Sequence, residues 1–426
     1  GDAGTGGARI AAGGRPAFAA PGRRLFDAER VRQGRAHHPQ LCGLCEPSGV
    51  EKMDVPTLSN DGCVSVCPPS GDGEKKILIH YTALNRGGAE LSLVRLMSGL
   101  VKRGCEVHLV LTVSGGKLED SIDPRVVVHH LRTTGTGVVT QKAGRTSSCG
   151  VSCTRFRSLL GRFQEWRAFS RFRRMRFDAA FVGRAGMSYS FVCNVVDARR
   201  RFVFVRSDPS VTQNQRWGRM IARFEDRVDH YVCVSAFVQK EMAKCFPRIS
   251  SKLSTVYNLI EPDRIRELAT RSSNPFEGQE EELRILSVCR LHEAPKGLLR
   301  MVEVHRQLLQ AGLPHTWHVL GDGPDRGLLE RFIEAHDATR TFILHGDVAN
   351  PFPYYKHADI CAVLSRYEGL CGVVNEARVL ERPVIATRFS GIDEQIEDGV
   401  NGLIVEQDVG AICEGLSSLI RDADRK

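Results

Sequence analysis

From Lys75 onward, short apolar runs alternate with longer stretches of helical period. Lys76 to His80 (KILIH) predicts a strand, and Tyr81 to Glu90 (YTALNRGGAE) a loop with paired glycines. Leu91 to Arg103 predicts a helix with Leu93, Leu96, Met97 and Leu100 on one face. Gly104 stops it, and Glu106 to Thr112 (EVHLVLT) is a second strand, completing a βαβ unit. Strands recur at Asp178 to Val182, Arg201 to Val205, His230 to Val234 and Leu253 to Val256, and Asn258 to Pro262 reads as a connector. A second alternating block follows: Leu283 to Val288, a helix near Gly297 to Ala311, Thr316 to Leu320, a helix near Asp325 to Ala335, then Arg340 to Leu344, Ile360 to Leu364 and Pro383 to Thr387. Two βα blocks predict an α/β protein of two doubly wound domains, 75–257 and 258–426, facing each other across a cleft.

Two segments break this pattern. Of the first 40 residues, 24 are Gly, Ala or Arg, and residues 1–74 show little hydrophobic periodicity, so a disordered, low-complexity tail is expected there. Its pairs Cys42/Cys45 and Cys63/Cys67 read as unpaired tail cysteines rather than zinc ligands, because the second pair is off-spacing. Arg155 to Phe177 carries eight arginines interleaved with Phe156, Leu159, Leu160, Phe163 and Trp166 on one helical face. Two readings stand side by side: a helix resting on an anionic membrane surface, or a connecting helix with a solvated basic face. Specific nucleic-acid binding is the lesser option.

Composition adds limits rather than a direction. The 426 residues carry a net charge of +9, which permits an anionic partner without selecting one. No apolar run approaches the ~20 residues of a membrane-spanning helix. Of the 14 cysteines, Cys193, Cys233, Cys289 and Cys361 sit in or beside apparent strands, as reduced core thiols of an intracellular protein do. The chain opens on Gly1 rather than Met, so the numbering need not begin at a natural terminus.

The chemistry concentrates between Ala358 and Val405. Glu368 and Glu376 flank a loop holding Gly369, Leu370, Cys371, Gly372 and Val373, between a strand and a helix. A carboxylate can accept from two neighbouring hydroxyls, which suits a sugar or ribose diol. Glu376 is expected in the first helical turn, and the backbone N–H groups of Gly369 to Val373 are expected to face phosphate or sugar oxygens at that helix start. The bland alternative makes Glu376 a helix-start acid and Glu368 a surface residue. Arg290 and Lys296 follow the strand ending at Val288 and could deliver two cations to a diphosphate.

These motifs resemble the family-4 retaining glycosyltransferases, whose GT-B architecture pairs two Rossmann-like domains. The resemblance rests on the two glutamates separated by seven residues and on Gly87-Gly88-Ala89-Glu90, Cys289-Arg290-Leu291 with Lys296-Gly297, Gly321-Asp322-Gly323-Pro324, Asn350-Pro351-Phe352-Pro353-Tyr354 and the run from Ala377 to Val405. It covers about Lys75 to Lys426. It implies a sugar moved with retention, hexosyltransferase fashion, from a UDP- or GDP-linked donor to a hydroxyl of a glycan or lipid-linked acceptor, as in polysaccharide biosynthesis. Glu376 would bind ribose and Glu368 the donor sugar. Arg290 and Lys296 would neutralise the departing diphosphate. Gly87 and Gly88 would let the first domain close on the donor, and the backbone near Val348 would touch the base. No metal and no cofactor beyond the nucleotide-sugar is implied. The implied location is cytoplasmic, or peripheral at the inner face of a membrane.

Two departures accompany the resemblance. Where many relatives carry a His near the reacting carbon, this chain has Arg206, with Asp208 beside it, and both are assigned to the acceptor side. Arg cannot act as a base. His80 is a substitute candidate, though a His at a strand end is more often structural. The helix that usually crosses back to the first domain looks missing after Leu416 to Ile420, which predicts a poorly braced cleft. The rival readings are a non-catalytic GT-B scaffold and a basic membrane-surface binding protein.

Overall fold

The computed structural model describes residues 75–85, 87–132, 169–211, 215–278 and 283–423. The tail of residues 1–74 with its four cysteines, and residues 155–168 of the arginine-rich stretch, lie outside them. All the described residues belong to one compact unit, Pro39–Lys426.

Two parallel sheets form the frame. The first contains β1 (Lys76–Tyr81), β2 (Glu106–Val113), β3 (Val127–Arg132), β4 (Arg176–Val182), β5 (Asp197–Val205), β6 (His230–Cys233) and β7 (Leu253–Thr255), in the order β3-β2-β1-β4-β5-β6-β7. The second contains β8 (Arg284–Val288), β9 (Thr316–Leu320), β10 (Phe342–Gly346), β11 (Ile360–Val363), β12 (Val384–Thr387) and β13 (Leu403–Val405), in the order β10-β9-β8-β11-β12-β13. Both orders reverse direction once, between β1 and β4 and between β8 and β11. In such sheets the ligand crevice lies beyond the strand ends at that reversal. The central strands are buried on both faces, as in ICAV of β11, because helices cover each side.

The helices that shape the crevice are α1 (Gly88–Lys102), α2 (Ala236–Cys245), α3 (Glu293–Lys296), α4 (Leu298–Gln310), α5 (Phe352–His357), α6 (Gly372–Val379) and α7 (Val409–Ala423). α1 begins three residues before the expected Leu91. Gly87 is its N-cap, so the paired glycines start a helix rather than sit mid-loop. Its buried stripe is Leu93, Met97 and Val101, with Leu96 and Leu100 packed beside them.

Two expectations need correction. The arginine-rich helix does not run to Phe177. Residues 169–172 are helical, but Arg176 and Phe177 belong to β4, and Phe172 and Phe177 are buried in the first core. Nor is the crevice poorly braced. Ala236 N–H and Phe237 N–H donate to Glu394 at 2.9 and 2.7 Å, and Tyr257 Oη donates to the same carboxylate at 2.8 Å. Ser390 Oγ donates to Asp208 Oδ2 at 2.5 Å, and Lys117 pairs with Asp347 at 2.7 Å. These contacts join the two sheets from β2 to β6. α7 packs along α4 and β13, and a crossing helix would lie beyond the described residues.

Candidate active site

Loops leaving β8 and β11, the strands at the second sheet's reversal, bring the sequence candidates together. Arg290 follows β8. It is exposed, and no described side chain pairs with it. Lys296 ends the single turn of α3, which Gly297 closes at φ 61°, in the left-handed region that favours glycine. Its Nζ pairs with Glu368 Oε1, which also accepts from Ser365 Oγ at 2.7 Å. Arg366 ties the two loops into one body. Its N–H donates to Pro295 O at 2.7 Å, and its guanidinium donates to Glu293 O and Glu293 Oε1 at 2.7 and 2.9 Å. Burial alone would lower the Lys296 pKa. The Glu368 carboxylate more than offsets this and holds the ammonium above its usual value. Lys296 is therefore charged at neutral pH.

Glu376 stands apart from that pair, and it lies in the second turn of α6, not the first. Its Oε1 accepts from Arg95 Nη2 of α1 at 3.1 Å, and its Oε2 accepts from Tyr355 Oη of α5 at 3.3 Å. Burial pushes its carboxyl pKa up, and Arg95 and Tyr355 pull it partly back. Each carboxylate oxygen retains a lone pair for a further donor.

The loop between the glutamates is held on both sides. Ser235 Oγ donates to Gly369 O at 3.0 Å, and Leu370 packs against the first core. Cys371 is the N-cap of α6, but its N–H is not free for a ligand, because Gln395 Oε1 takes it at 2.9 Å. Burial pushes the Cys371 thiol up to about 12 and the Cys289 thiol up to about 11, so both stay protonated. Gly372 is exposed, and Val373 and Val348 pack partly buried on the second core. Gly87 and Gly88 sit at the facing helix start.

A Cβ on Gly369 would come within 2.4 Å of Arg206 O, whereas one on Gly372 would meet nothing within 4 Å. Gly369→Ala is therefore expected to destabilise by about 1–3 kcal/mol in urea unfolding, with Gly372→Ala close to neutral. Equal effects would show that the close approach is not held in solution.

The acceptor-side assignments do not survive as open groups. Arg206 Nε donates to Gly183 O at 3.2 Å, and Nη1 donates to Ser92 Oγ at 3.1 Å and Asn258 Oδ1 at 3.4 Å. Its guanidinium lies 4.7 Å from the centre of the Phe204 ring. Burial lowers its pKa to about 10, which leaves it charged. It braces β4, α1 and the connector. Asp208 is 2% exposed, and its oxygens accept from Ser210 N–H and Oγ and from Ser390 Oγ. His80 is buried against Phe191, with Nε2 3.1 Å from Thr112 Oγ1, and burial pulls its pKa down to about 4. Its structural reading holds. Among the described residues no group of three or more His, Cys, Asp or Glu converges as a metal site, and no helix is long and apolar enough to cross a membrane.

Sequence reasoning missed Arg95, Tyr355, Ser235 and Gln395. None has a motif signature. Their partners lie 281, 21, 134 and 24 residues away.

Two family models match the chain, "Glycosyltransferase Family 4" over residues 86–264 and "Glycosyl transferases group 1" over residues 282–422. Alpha-D-kanosaminyltransferase of Streptomyces kanamyceticus is 28% identical over 160 residues, which is 34% of this chain and 41% of that protein. The putative colanic acid biosynthesis glycosyltransferase WcaL of Escherichia coli is 30% identical over 161 residues, 34% of this chain and 38% of its own. The match thus spans about two-fifths of the length of these relatives. Among solved structures, HepE of Anabaena superposes with a TM-score of 0.61 at 16% identity, covering 82% of this chain and 93% of that one. Sucrose-phosphate synthase of Thermosynechococcus elongatus does so with 0.62 at 15%, covering 82% and 91%. These last two show a shared fold. With both family models matched in order, two parallel sheets of GT-B type and two glutamates eight positions apart on the second, the chain belongs to the group 1, family-4 type glycosyltransferases.

Proposed function

We propose that this chain moves a hexose from a nucleotide-sugar to a hydroxyl of a glycan or lipid-linked glycan, with retention of anomeric configuration. The observation that carries the reading is the Lys296–Glu368 pair at the reversal point of the second sheet, with Arg290 exposed on the same loop as Lys296 and without a side-chain partner among the described residues. In this reading Arg290 and Lys296 take the charge that develops on the departing diphosphate, the role a metal fills elsewhere. Glu368 accepts from the sugar hydroxyls and Glu376 from ribose. Gly87, Gly88 and Gly372 present bare backbone to the donor, and Val348 borders the base. The departing phosphate oxygen receives the acceptor's proton, since Asp208 is taken by Ser210 and Ser390 and His80 is buried against Phe191.

Several neighbours support the donor class. HepE was solved with UDP and glucose and also with UDP-glucose. Matches to colanic acid and capsular polysaccharide glycosyltransferases favour a glycan acceptor. Exposed Arg171, Arg173, Arg174, Arg176, Arg199 and Arg200 lie along the start of the β4–β5 pair without carboxylate partners among the described residues, which favours placement on an anionic membrane face.

A thermal-shift screen with UDP, GDP, ADP and their sugars tests the donor site. One nucleotide at 100-fold its dissociation constant should add about 2.7 kcal/mol of stability and raise the melting temperature by several degrees. No shift with any of them removes the reading in favour of a non-catalytic scaffold.

A further inference from the structure

We propose that Gln395 is a positioning residue, which sets the donor loop through a paired amide clamp on Cys371. The role rests on the donor-site reading above. Gln395 follows a 3-10 turn, Ile392–Glu394, and its side chain is buried. Its Oε1 accepts the Cys371 N–H at 2.9 Å, and its Nε2 donates to Cys371 O at 2.8 Å. Its own carbonyl accepts from Arg378 Nη1 at 2.5 Å. Cys371 starts α6 and Arg378 lies in its last turn. One residue therefore grips both ends of the helix that carries Glu376.

The clamp repeats the donor–acceptor pairing of two peptide groups in a sheet, at a site 5% exposed where water does not compete. Upstream, the Ser235 bond to Gly369 O and the packing of Leu370 hold the loop to the first sheet's side. Downstream, Gln395 is the only side chain bonded to the Cys371 peptide among the described residues. Without it, both Cys371 backbone groups lose partners in a buried place. The loop is then free to rotate, and Glu368 and Glu376 no longer share one frame.

Glutamate at this position separates positioning from packing. It has the shape of glutamine. Protonated, it accepts from the Cys371 N–H and donates to Cys371 O, as the amide does. Ionised, it only accepts and faces the Cys371 carbonyl with negative charge. The charged groups around it are Arg378 on α6 and Glu394, the latter engaged by Ala236, Phe237 and Tyr257. The Cys371 thiol on the N-cap remains protonated across the range used.

The test is calorimetric titration of the full chain with UDP, with GDP and ADP in parallel, from pH 5 to pH 8. Gln395→Leu is expected to weaken nucleotide binding by about tenfold or more at every pH. Gln395→Glu should be as weak at pH 8 and recover toward the unchanged protein as pH falls. Because that recovery is read within one variant, it does not depend on how well the leucine variant folds. A glutamate variant that binds like the unchanged protein at pH 8, or stays weak at all pH values, overturns the role. If the unchanged protein binds none of the three nucleotides, the donor-site reading falls and this role falls with it. Binding by the unchanged protein with indifferent variants removes the Gln395 role alone.

Discussion

Lys296→Ala is expected to lower turnover by about 10²–10³-fold, with a much smaller change in the affinity for donor. The ammonium has a partner before any ligand arrives, since Glu368 Oε1 holds it and Ser365 holds Glu368. Its position is thus set in advance, in a site whose side chains are 20% and 17% exposed. Charge grows on the departing diphosphate only as the bond to the sugar breaks, so a fixed cation there acts on the transition state more than on the bound donor. Arg290 remains in the variant and sustains part of the binding. Lys296→Arg keeps the charge but replaces a point by a planar fork, and partial recovery is expected. Glu368→Gln should be milder in binding, because the amide still accepts, yet it releases Lys296 from its fixed place.

The same variant has a stability signature. The Lys296 pKa is raised in the folded state. A raised lysine contributes stability that is fully present below the unfolded value of about 10.4 and is lost as pH rises through the folded value. The stability gap between Lys296→Ala and the unchanged protein should therefore be constant from pH 6 to 9 and close above about pH 10.4. Steady-state rates at saturating donor and urea unfolding read the two effects separately. Turnover within a factor of three of the unchanged protein would remove Lys296 from the chemistry.

How much of this was legible follows from how far each signal reaches along the chain. Strands such as KILIH and ICAV, and the glycine-bearing loops after them, are local, and the structure places them within one to three residues of the expected bounds, while β5 begins four residues before the expected Arg201. β3 escaped notice because His129 and His130 interrupt its apolar run. His129 is nonetheless buried, its Nε2 2.8 Å from His108 Nδ1 on the neighbouring strand. The glutamate spacing marks the donor loop, but it says nothing about which N–H groups of that loop are already spent. Arg206 is a similar case. Its acceptor-side assignment rests on standing where many relatives carry a His, and that position does not reveal that Gly183, Ser92 and Asn258 take its donors. The helical face from Phe156 to Trp166 carries no signal for where that helix ends, whereas the sheet's core takes Phe172 and Phe177.

Removing Arg95 is expected to make stability fall further with rising pH than it does in the unchanged protein. Burial raises the Glu376 pKa, and Arg95 is the largest of the influences that oppose it. An acid whose folded pKa lies above its unfolded one holds its proton more tightly when folded. Such a group favours the fold below the ordinary carboxylate value, and that advantage is lost as pH rises through the raised folded value. In Arg95→Ala the opposing cation is gone and the folded value moves higher. The variant should therefore approach the unchanged protein in stability at low pH. Above the raised folded value it should fall about 1–3 kcal/mol short, since both side chains are less than a fifth exposed. Removing Glu376 as well should restore much of the loss, with a coupling energy of about 1–3 kcal/mol between the two positions. Nucleotide binding separates the pair's two duties. Glu376→Ala should weaken it about tenfold or more through the lost ribose contact, and the double variant should be no weaker than Glu376→Ala. Additive losses that are flat from pH 4 to 8 would mean that Arg95 and Glu376 do not meet in solution, and that α1 and α6 are joined only by the contacts near Gly369 and Glu394.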